Sequence, residues 1–284
     1  MRPSLAERVR VWPQYLLPKQ TLTQLAWWLS NIRYPPFKNA FIRVFSRLFS
    51  VNLEEAESSH LADYSHFNAF FTRALKPGTR PIDTTSLVSP CDGCISQLGR
   101  LDGPSHTRLI QAKGLDYTLE ELLGRDQGLD AFHGGQWMTI YLAPYDYHRV
   151  HVPATGTLIN ATRIPGELFS VSHATARAIP RLFARNERLV CEFAHPQGHY
   201  FVVMVAALMV AGIETVWDDP SLRRPLATPI NYTGSPIDFQ KGDEMGRFHW
   251  GSTVIVITPP EFPSWKTGLQ ASDLVRLGQG LTAN

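Results

Sequence analysis

Apolar and polar residues follow different periods in the two parts of the chain. In the first fifty residues the apolar side chains recur every three or four positions, which predicts two amphipathic helices. Their apolar positions are Leu22, Leu25, Trp28, Leu29 and Ile32 in the first helix, and Phe41, Phe45, Leu48 and Phe49 in the second. Pro35 and Pro36 predict the boundary between the two, because proline does not fit a helix interior.

After a third helix, predicted to begin at an N-cap on Ser65 and to end near Lys76, short apolar runs alternate with glycine and proline. The runs are Cys94–Leu98, Trp137–Leu142, His148–Val152, Gly156–Ile159, Leu189–Phe193, a run from Tyr200 onward, and Thr253–Ile257. This spacing predicts a β-rich core, folded as a barrel or a sandwich. We therefore predict an α+β fold in two parts, an N-terminal helical segment over residues 1–64 and a β-rich domain over 65–284.

No segment of the sequence is predicted to cross a membrane. The longest apolar run, Tyr200 to Ile213, has 14 residues, whereas a spanning helix needs roughly 20. Prolines and polar residues interrupt the N-terminus, so we predict no cleavable signal peptide. Three cysteines are an odd and sparse set, which argues against a disulfide framework and favours a reducing compartment.

Charge is distributed unevenly along the chain, although the formal net charge is only +2. The first fifty residues hold eight bases and one acid, a net charge of +7, and the rest hold 19 bases and 24 acids, a net charge of −5. Nine aromatic residues share the basic segment. Aromatic rings and bases together are typical of a membrane interface. Packing of this helix pair on the protein's own core is the alternative, and nucleic-acid binding is not expected because no glycine-aromatic strand motif is present.

One candidate for chemistry is Ser252, which lies between Gly251 and Thr253 just before the β-branched run Val254–Ile257. Glycine has no Cβ, so the carbonyl that precedes this serine is open to approach. The same three residue types are common in turns, however, and on their own they predict only a turn that leads into a strand.

A second candidate is the pair His148 and His151. In a strand, residues three apart face opposite sides, so the two imidazoles could serve two different tasks if the segment bends. The alternative is a structural pair, with one histidine buried and the other solvated. Asp92, in the turn before Gly93, could orient a histidine or simply close that turn. Cys91, Cys94 and Cys191 with the histidines raise the alternative of a zinc site, although a second paired ligand set is missing.

Together these stretches resemble the bacterial phosphatidylserine decarboxylases. Residues 245–255 (MGRFHWGSTVI) resemble the self-cleavage motif of that family, 147–153 (YHRVHVP) its two-histidine motif, and 90–93 (PCDG) its aspartate motif. Further similar runs cover most of the chain between Ser65 and Ile257. One departure is Trp250, because the family motif commonly has an aliphatic residue there.

The resemblance implies that Ser252 attacks the Gly251 carbonyl, that His151 takes the serine proton, and that Asp92 steers His151. The chain would then divide into residues 1–251 (β chain) and 252–284 (α chain), with Ser252 converted into a pyruvoyl group. That group would form a Schiff base with phosphatidylserine and accept electrons as CO₂ leaves. His148 would return a proton to give phosphatidylethanolamine, and neither a metal nor a diffusible cofactor would be required.

The resemblance also implies partners and a location. The expected partners are phosphatidylserine, an anionic membrane surface and the two fragments themselves as a heterodimer, with further dimerisation left open. The expected location is peripheral, on the cytoplasmic face of the inner membrane. Two alternative functions remain at this point: a zinc hydrolase that uses His148, His151 and the cysteines, and a non-enzymatic peripheral membrane module.

Overall fold

The computed structural model describes residues 9, 11–101, 108–112, 115–208, 212–217, 229–231 (backbone only) and 235–283. Its helices are α1 (Lys19–Ser30), α2 (Pro35–Leu48), α3 (Phe67–Phe71), α4 (Leu119–Leu123), α5 (His173–Ala178) and α6 (Leu182–Arg185). Three short 3₁₀ turns cover Trp12–Tyr15, Leu61–Asp63 and Asp130–Phe132. The two longest helices are therefore the N-terminal pair that the sequence predicts.

The boundaries of the first three helices follow from local chemistry. Pro35 and Pro36 occupy the first turn of α2, where a missing N–H costs nothing because it would have no helical partner. Helix α3 is capped by His66, whose Nδ1 accepts a hydrogen bond from the Ala69 amide at 3.1 Å. The predicted cap at Ser65 is thus one residue too early, and the helix ends at Phe71, before the predicted end near Lys76.

Short antiparallel strands form most of the remaining structure. They are β1 (Gly93–Arg100), β2 (Arg108–Ala112), β3 (Leu115–Thr118), β4 (Gln136–Leu142), β5 (Arg149–His151), β6 (Gly156–Ile164), β7 (Arg188–Ala194), β8 (Tyr200–Val205), β9 (Ile213–Thr215), β10 (Pro229–Asn231), β11 (Ile237–Phe239), β12 (Glu244–Phe248), β13 (Ser252–Thr258) and β14 (Leu274–Val275). Helices and antiparallel sheets together confirm the α+β fold.

The strands form three sheets within the described residues. The large sheet has the order β10-β6-β7-β8-β13-β4-β1-β14, with β11 also paired to β6. A second sheet has the order β5-β12-β9, and β2 pairs with β3. The order of the large sheet is open at both ends, so these pairings do not close a barrel, and the sandwich is the better description of the two predicted forms.

Strand β13 is central to the large sheet. It lies between β4 and β8, and all seven of its residues are buried. A strand covered on both faces is continuously apolar, which explains the run Val254–Ile257. Ser252, the first residue of β13, lies opposite Leu142, the last residue of β4. The fold therefore places this serine where two central strands reach the edge of the core.

Two clusters of buried apolar side chains hold the structure together. The larger cluster fills the sheet domain. The smaller one joins α2 to the segment around α3 and consists of Ile42, Phe45, Tyr64, Phe67, Phe70 and Phe71. Among the described residues, Trp250 is the side chain that packs against both clusters. The N-terminal helices thus contact the sheet domain at Trp250, two positions before Ser252, and also through Lys19 of α1, which pairs with Glu167 at 2.7 Å.

The N-terminal helices combine a buried face with an exposed apolar one. On α2, Ile42 and Phe45 are buried, whereas Val44 and Leu48 are exposed. Trp28 on α1 is also exposed. Core packing, the alternative raised from the sequence, therefore accounts for only part of the apolar pattern. Within the described part of the chain, every helix is too short or too polar to span a membrane.

Candidate active site

Ser252 is completely buried, and its Oγ has no hydrogen-bond partner among the described residues. A buried hydroxyl without a partner costs about 1–3 kcal/mol. Two residues earlier, Trp250 has a φ of 97°, a left-handed conformation that costs a non-glycine residue about 1–3 kcal/mol. At Gly251 there is open space, because an added Cβ would meet no heavy atom of the described residues within 4 Å apart from its two chain neighbours. The Gly251–Ser252 bond therefore lies in a strained segment beside an unsatisfied hydroxyl.

His148 is also completely buried, and it precedes β5. Its Nδ1 lies 3.0 Å from the carbonyl oxygen of Asp146. A carbonyl only accepts, so Nδ1 carries the proton and Nε2 has a free lone pair. No described residue bonds to Nε2. Burial lowers the pKa of His148 to about 3, so the imidazole is neutral and its Nε2 carries a lone pair that no described residue uses.

His151 ends β5, and both of its ring nitrogens have partners. Nδ1 donates to the carbonyl oxygen of Gly242 at 2.8 Å, and Nε2 lies 3.2 Å from the hydroxyl of Tyr147. Burial raises the pKa of Tyr147 to about 12, so the tyrosine keeps its proton and donates it to Nε2. Burial also lowers the pKa of His151. This imidazole is neutral as well, and its basic nitrogen is covered by a tyrosine.

Asp92 lies just before β1, and its carboxylate is held by an arginine. Nε of Arg80 donates to Oδ1 at 3.0 Å, and Nη2 donates to Oδ2 at 2.6 Å. The backbone amide of Leu277 donates to Oδ1 at 2.8 Å. Arg80 also pairs with Glu55 at 2.7 Å. The structure thus satisfies this carboxylate without a hydrogen bond to His151.

The backbone nevertheless brings the predicted residues to one end of the large sheet. Cys94 and Thr253 both lie opposite Tyr141 of β4. Asp92 directly precedes β1 and Ser252 begins β13, so the two residues lie at the same end of the strands on either side of β4. The amide of His151 donates to the carbonyl of Pro90 at 2.8 Å, which places His151 beside the Asp92 turn.

His148 is connected to the serine through β12 and through aromatic rings. The amide of Phe248, four residues before Ser252, donates to the His148 carbonyl at 3.0 Å. The His148 ring lies 4.1 Å from the ring of Phe71, measured between centroids, and Phe71 stacks on Trp250 at 5.7 Å. All four predicted residues therefore belong to one region. Hydrogen bonds that would join Asp92 to His151 or His151 to Ser252 are not formed among the described side chains, and the triad stays a prediction.

Several residues of this region are not found by sequence reasoning. Arg80 lies in a loop without periodicity, so only the fold reveals that it binds Asp92. Asp146 accepts a hydrogen bond from the Ala143 amide at 2.7 Å, and burial raises the pKa of its carboxyl to about 6. Tyr147 belongs to the histidine motif, but its contact with His151 depends on a bend before β5.

The segment between the histidines and the serine carries ion pairs and a hydrogen bond between a histidine and a carboxylate. Arg149 pairs with Glu244 at 2.8 Å, and Glu244 also pairs with Arg247 at 2.9 Å. His249 pairs with Glu214 at 2.9 Å and lowers the pKa of that carboxyl. These pairs connect β5, β12 and β9. They accompany the backbone pairing of β12 with β5 and β9, which sets the register of the strand that leads to the Gly251–Ser252 bond.

Metal ligands do not cluster in the part of the chain that the structure describes. No three His, Cys, Asp or Glu side chains there are arranged to hold an ion. Cys91 is buried, and burial raises the pKa of its thiol, so it remains protonated. The sulfur of Cys94 contacts the carbonyl of Ile95 at 3.8 Å.

Comparison with known proteins extends these observations to nearly the whole chain. A family model described as phosphatidylserine decarboxylase matches residues 67–283, and a second model, described as PSD, matches residues 9–50. Three curated relatives are phosphatidylserine decarboxylase proenzymes. The Pseudomonas putida protein is 47% identical over 98% of this chain and 99% of its own length. The Pseudomonas fluorescens protein is 47% identical over 98% of both chains, and that of Methylococcus capsulatus is 46% identical over 94% of both.

The matches identify the chain as an enzyme of the decarboxylase class. It belongs to the phosphatidylserine decarboxylase family, because the family model spans more than half of the chain and the relatives are similar over nearly their full length. The matched region contains Asp92, His148, His151 and Ser252. The resemblance noted from the motifs is thereby confirmed.

Proposed function

We propose that this chain cuts itself between Gly251 and Ser252 and then decarboxylates phosphatidylserine to phosphatidylethanolamine and CO₂. The observation that carries the proposal is the hydroxyl of Ser252, which is completely buried and has no hydrogen-bond partner among the described residues, close to the strained Trp250. Buried polar groups are nearly always hydrogen-bonded. Thr253 shares this feature, so Ser252 is distinguished by the combination of a free hydroxyl, a preceding glycine and the strained residue before that glycine.

The cut itself needs no atoms from outside the chain apart from water. Ser252 Oγ gives its proton to a base and attacks the Gly251 carbonyl carbon, so that an ester replaces the peptide bond and the serine nitrogen gains a proton. Loss of the Cα proton then breaks the Cβ–Oγ bond, which releases Gly251 as a carboxylate. Water displaces the nitrogen of the remaining dehydroalanine as ammonia, and a pyruvoyl group is left at position 252.

We assign the base for the cut to His151, with Asp92 and Ser252 as the other members of the triad. His151 is neutral because burial lowers its pKa, so it can accept the serine proton. Its orientation is set by the Gly242 carbonyl at Nδ1, and Asp92 would act mainly through its negative charge, which favours the protonated imidazole. Tyr147 must release Nε2 before the proton can be taken.

The side chains of this region suit a pyruvoyl group at position 252, because within the described residues neither the Ser252 hydroxyl nor Nε2 of His148 is engaged in a hydrogen bond. Once formed, the group would accept the electron pair that CO₂ leaves on the substrate. We assign the return of a proton to His148. Its Nε2 is unprotonated and unpartnered, and its low pKa makes it a strong proton donor once it has been charged.

The two fragments are proposed to stay together as a heterodimer. Strand β13 belongs to the downstream fragment, yet it pairs with β4 and β8 of the upstream fragment on both sides. The amide of Leu277 also remains bound to Asp92. We therefore expect the 33-residue fragment to separate only in denaturant.

We further propose that residues 1–64 attach the protein to an anionic membrane surface, on its cytoplasmic face, while residues 65–284 form the catalytic domain. On α2 the exposed Val44 and Leu48 lie next to the exposed Arg43 and Arg47. Apolar side chains can enter the headgroup region while the arginines bind anionic lipid, at about 1 kcal/mol for each base.

This surface predicts a measurable loss of membrane binding. The double variant Trp28→Ala/Leu48→Ala should bind vesicles of phosphatidylserine and phosphatidylethanolamine at least about ten-fold more weakly, because two side chains lose their apolar contact. Vesicle sedimentation would measure the change. Leu274→Ala removes another exposed apolar side chain, in β14 of the sheet domain, and should bind as the wild type does. Equal binding by all three proteins would contradict the proposal.

Intact mass spectrometry of the freshly purified protein, combined with release of CO₂ from phosphatidylserine, tests the proposed reaction. We expect two fragments of 251 and 33 residues, the smaller blocked at its N-terminus by a pyruvoyl group. Stoichiometric zinc with an uncut chain would favour the hydrolase alternative. Vesicle binding without a cut and without CO₂ would favour the non-enzymatic module.

A further inference from the structure

We infer that Trp250 is a positioning residue for self-cleavage. Its side chain packs against the N-terminal helices and hydrogen-bonds to α1, and these contacts hold the segment before the scissile bond in place. The inference rests on the proposed cut between Gly251 and Ser252. Trp250 is also the position at which this chain departs from the aliphatic residue common in the family motif.

The Trp250 side chain is held by rings and by one hydrogen bond. Its ring centroid lies 5.0 Å from that of Phe67, 5.7 Å from Phe71 and 5.8 Å from Phe45. Its indole Nε1–H donates to Oγ of Ser30 at 3.1 Å, and Ser30 is completely buried at the end of α1. An aliphatic side chain could pack against the rings but could not donate this hydrogen bond.

The preceding residue, His249, is attached to the same helices. Its ring makes an edge contact with Trp27 of α1, with 5.2 Å between centroids, while Nε2 pairs with Glu214. The two residues before Gly251 are therefore both anchored by their side chains. On the other side, Ser252 is fixed by its pairing with Leu142.

The scissile bond consequently lies between two fixed points, with Gly251 as the one residue in open space between them. The φ of 97° at Trp250 is unfavourable for a residue with a Cβ, so it persists because the ring contacts hold it. Attack by a serine depends on the orientation of the preceding carbonyl. We conclude that the indole of Trp250 sets this orientation for the Gly251 carbonyl, and that α1 and α2 contribute to self-cleavage through it.

The test is the rate at which the newly made full-length chain is cut. It is measured by cell-free synthesis with labelled methionine and separation of the full-length chain from the 251-residue fragment, which holds all five methionines. Trp250→Ala should cut about ten- to a hundred-fold more slowly, because misplacing a reacting group costs rates of this order. Trp250→Phe keeps a ring and should restore most of the rate. Trp250→Phe and Ser30→Ala each lose the same hydrogen bond, so each should slow the cut about three-fold, and the double variant should be no slower.

Trp265→Phe is the matched control, because Trp265 is also partly buried and its indole N–H donates to the Trp137 carbonyl at 3.3 Å. It should cut at the wild-type rate. Thermal unfolding of each variant in an uncut Ser252→Ala background separates loss of positioning from loss of folding. A folded Trp250→Ala chain that cuts as fast as wild type would overturn the inference. If that variant does not fold, unchanged rates in Trp250→Phe and Ser30→Ala would overturn it instead. Failure of the wild type itself to cut would refute the proposed function.

Discussion

A Ser252→Ala chain is expected to remain 284 residues long and to release no CO₂ from phosphatidylserine. The variant lacks both the oxygen that attacks Gly251 and the atoms from which the pyruvoyl group is made. Turnover should therefore fall by at least about 1,000-fold, as for other enzymes that lose their nucleophile. Because the lost hydroxyl is buried and has no partner, the variant should be at least as stable as the uncut wild type.

Thr253 provides a matched control for this experiment. Its hydroxyl is also buried and unpartnered in β13, one residue further along. Thr253→Val removes that hydroxyl at nearly constant volume and should leave both the cut and the decarboxylation intact. Intact mass and CO₂ release would be measured on both variants. Two fragments from Ser252→Ala would show that the cut lies elsewhere. An uncut Thr253→Val chain would indicate that Thr253, one residue further along, is the nucleophile.

The sequence predicts the parts of the fold that depend on local pattern. The run Val254–Ile257 is continuously apolar because β13 is buried on both faces, and such runs are recognisable without a structure. The N-terminal helices are predicted as helices, but their buried faces only in part: Phe45 is buried as expected, whereas Leu48 is exposed and the buried Ile42 is not among the predicted apolar positions. The limits of α3 are not predicted, since its cap is a histidine ring rather than one of the usual small polar residues.

The candidate active site can be predicted from the sequence only in part, for a related reason. Asp92, His148, His151 and Ser252 occur in motifs, so the resemblance finds them. Their partners come from distant parts of the chain: Arg80 and Leu277 bind Asp92, and Gly242 binds His151. The periodicity of apolar residues along a helix or a strand does not predict contacts between such distant parts of the chain. The positive φ of Trp250 is likewise a product of its ring contacts and of β13 pairing, which the sequence does not show.

Alanine variants of the two histidines are expected to lose different steps of the reaction. His151→Ala should leave the chain largely uncut, as should Asp92→Asn, because both changes remove part of the base that activates Ser252. His148→Ala should cut but release CO₂ at least about 100-fold more slowly, since general acid–base groups contribute rates of about this size. Gel electrophoresis of the fragments measures self-cleavage, and CO₂ release per cut chain measures decarboxylation.

His195→Ala is a suitable control, because His195 is a partly buried histidine outside the site whose Nδ1 bonds locally to the Gln197 amide. It should cut and decarboxylate as wild type does. The pH dependence provides a further check on His151. Burial lowers its pKa, so the neutral form that acts as the base persists to lower pH than for a free histidine, whose pKa is about 6.5. The rate of cutting should stay level as the pH is lowered through 6.5, where a free histidine would become protonated, and should fall only at a lower pH than that.

One experimental result would reverse the roles assigned to His148 and His151, so that His148 would be the base for the cut. Tyr147 covers the basic nitrogen of His151, whereas Nε2 of His148 is free, as is the hydroxyl of Ser252. If His148→Ala remained uncut while His151→Ala cut normally, the free nitrogen would be the base and the triad with Asp92 would be wrong. If instead His148→Ala cuts, the tyrosine contact must open during processing. A folded His148→Ala chain that cuts and shows full turnover would remove His148 from the mechanism.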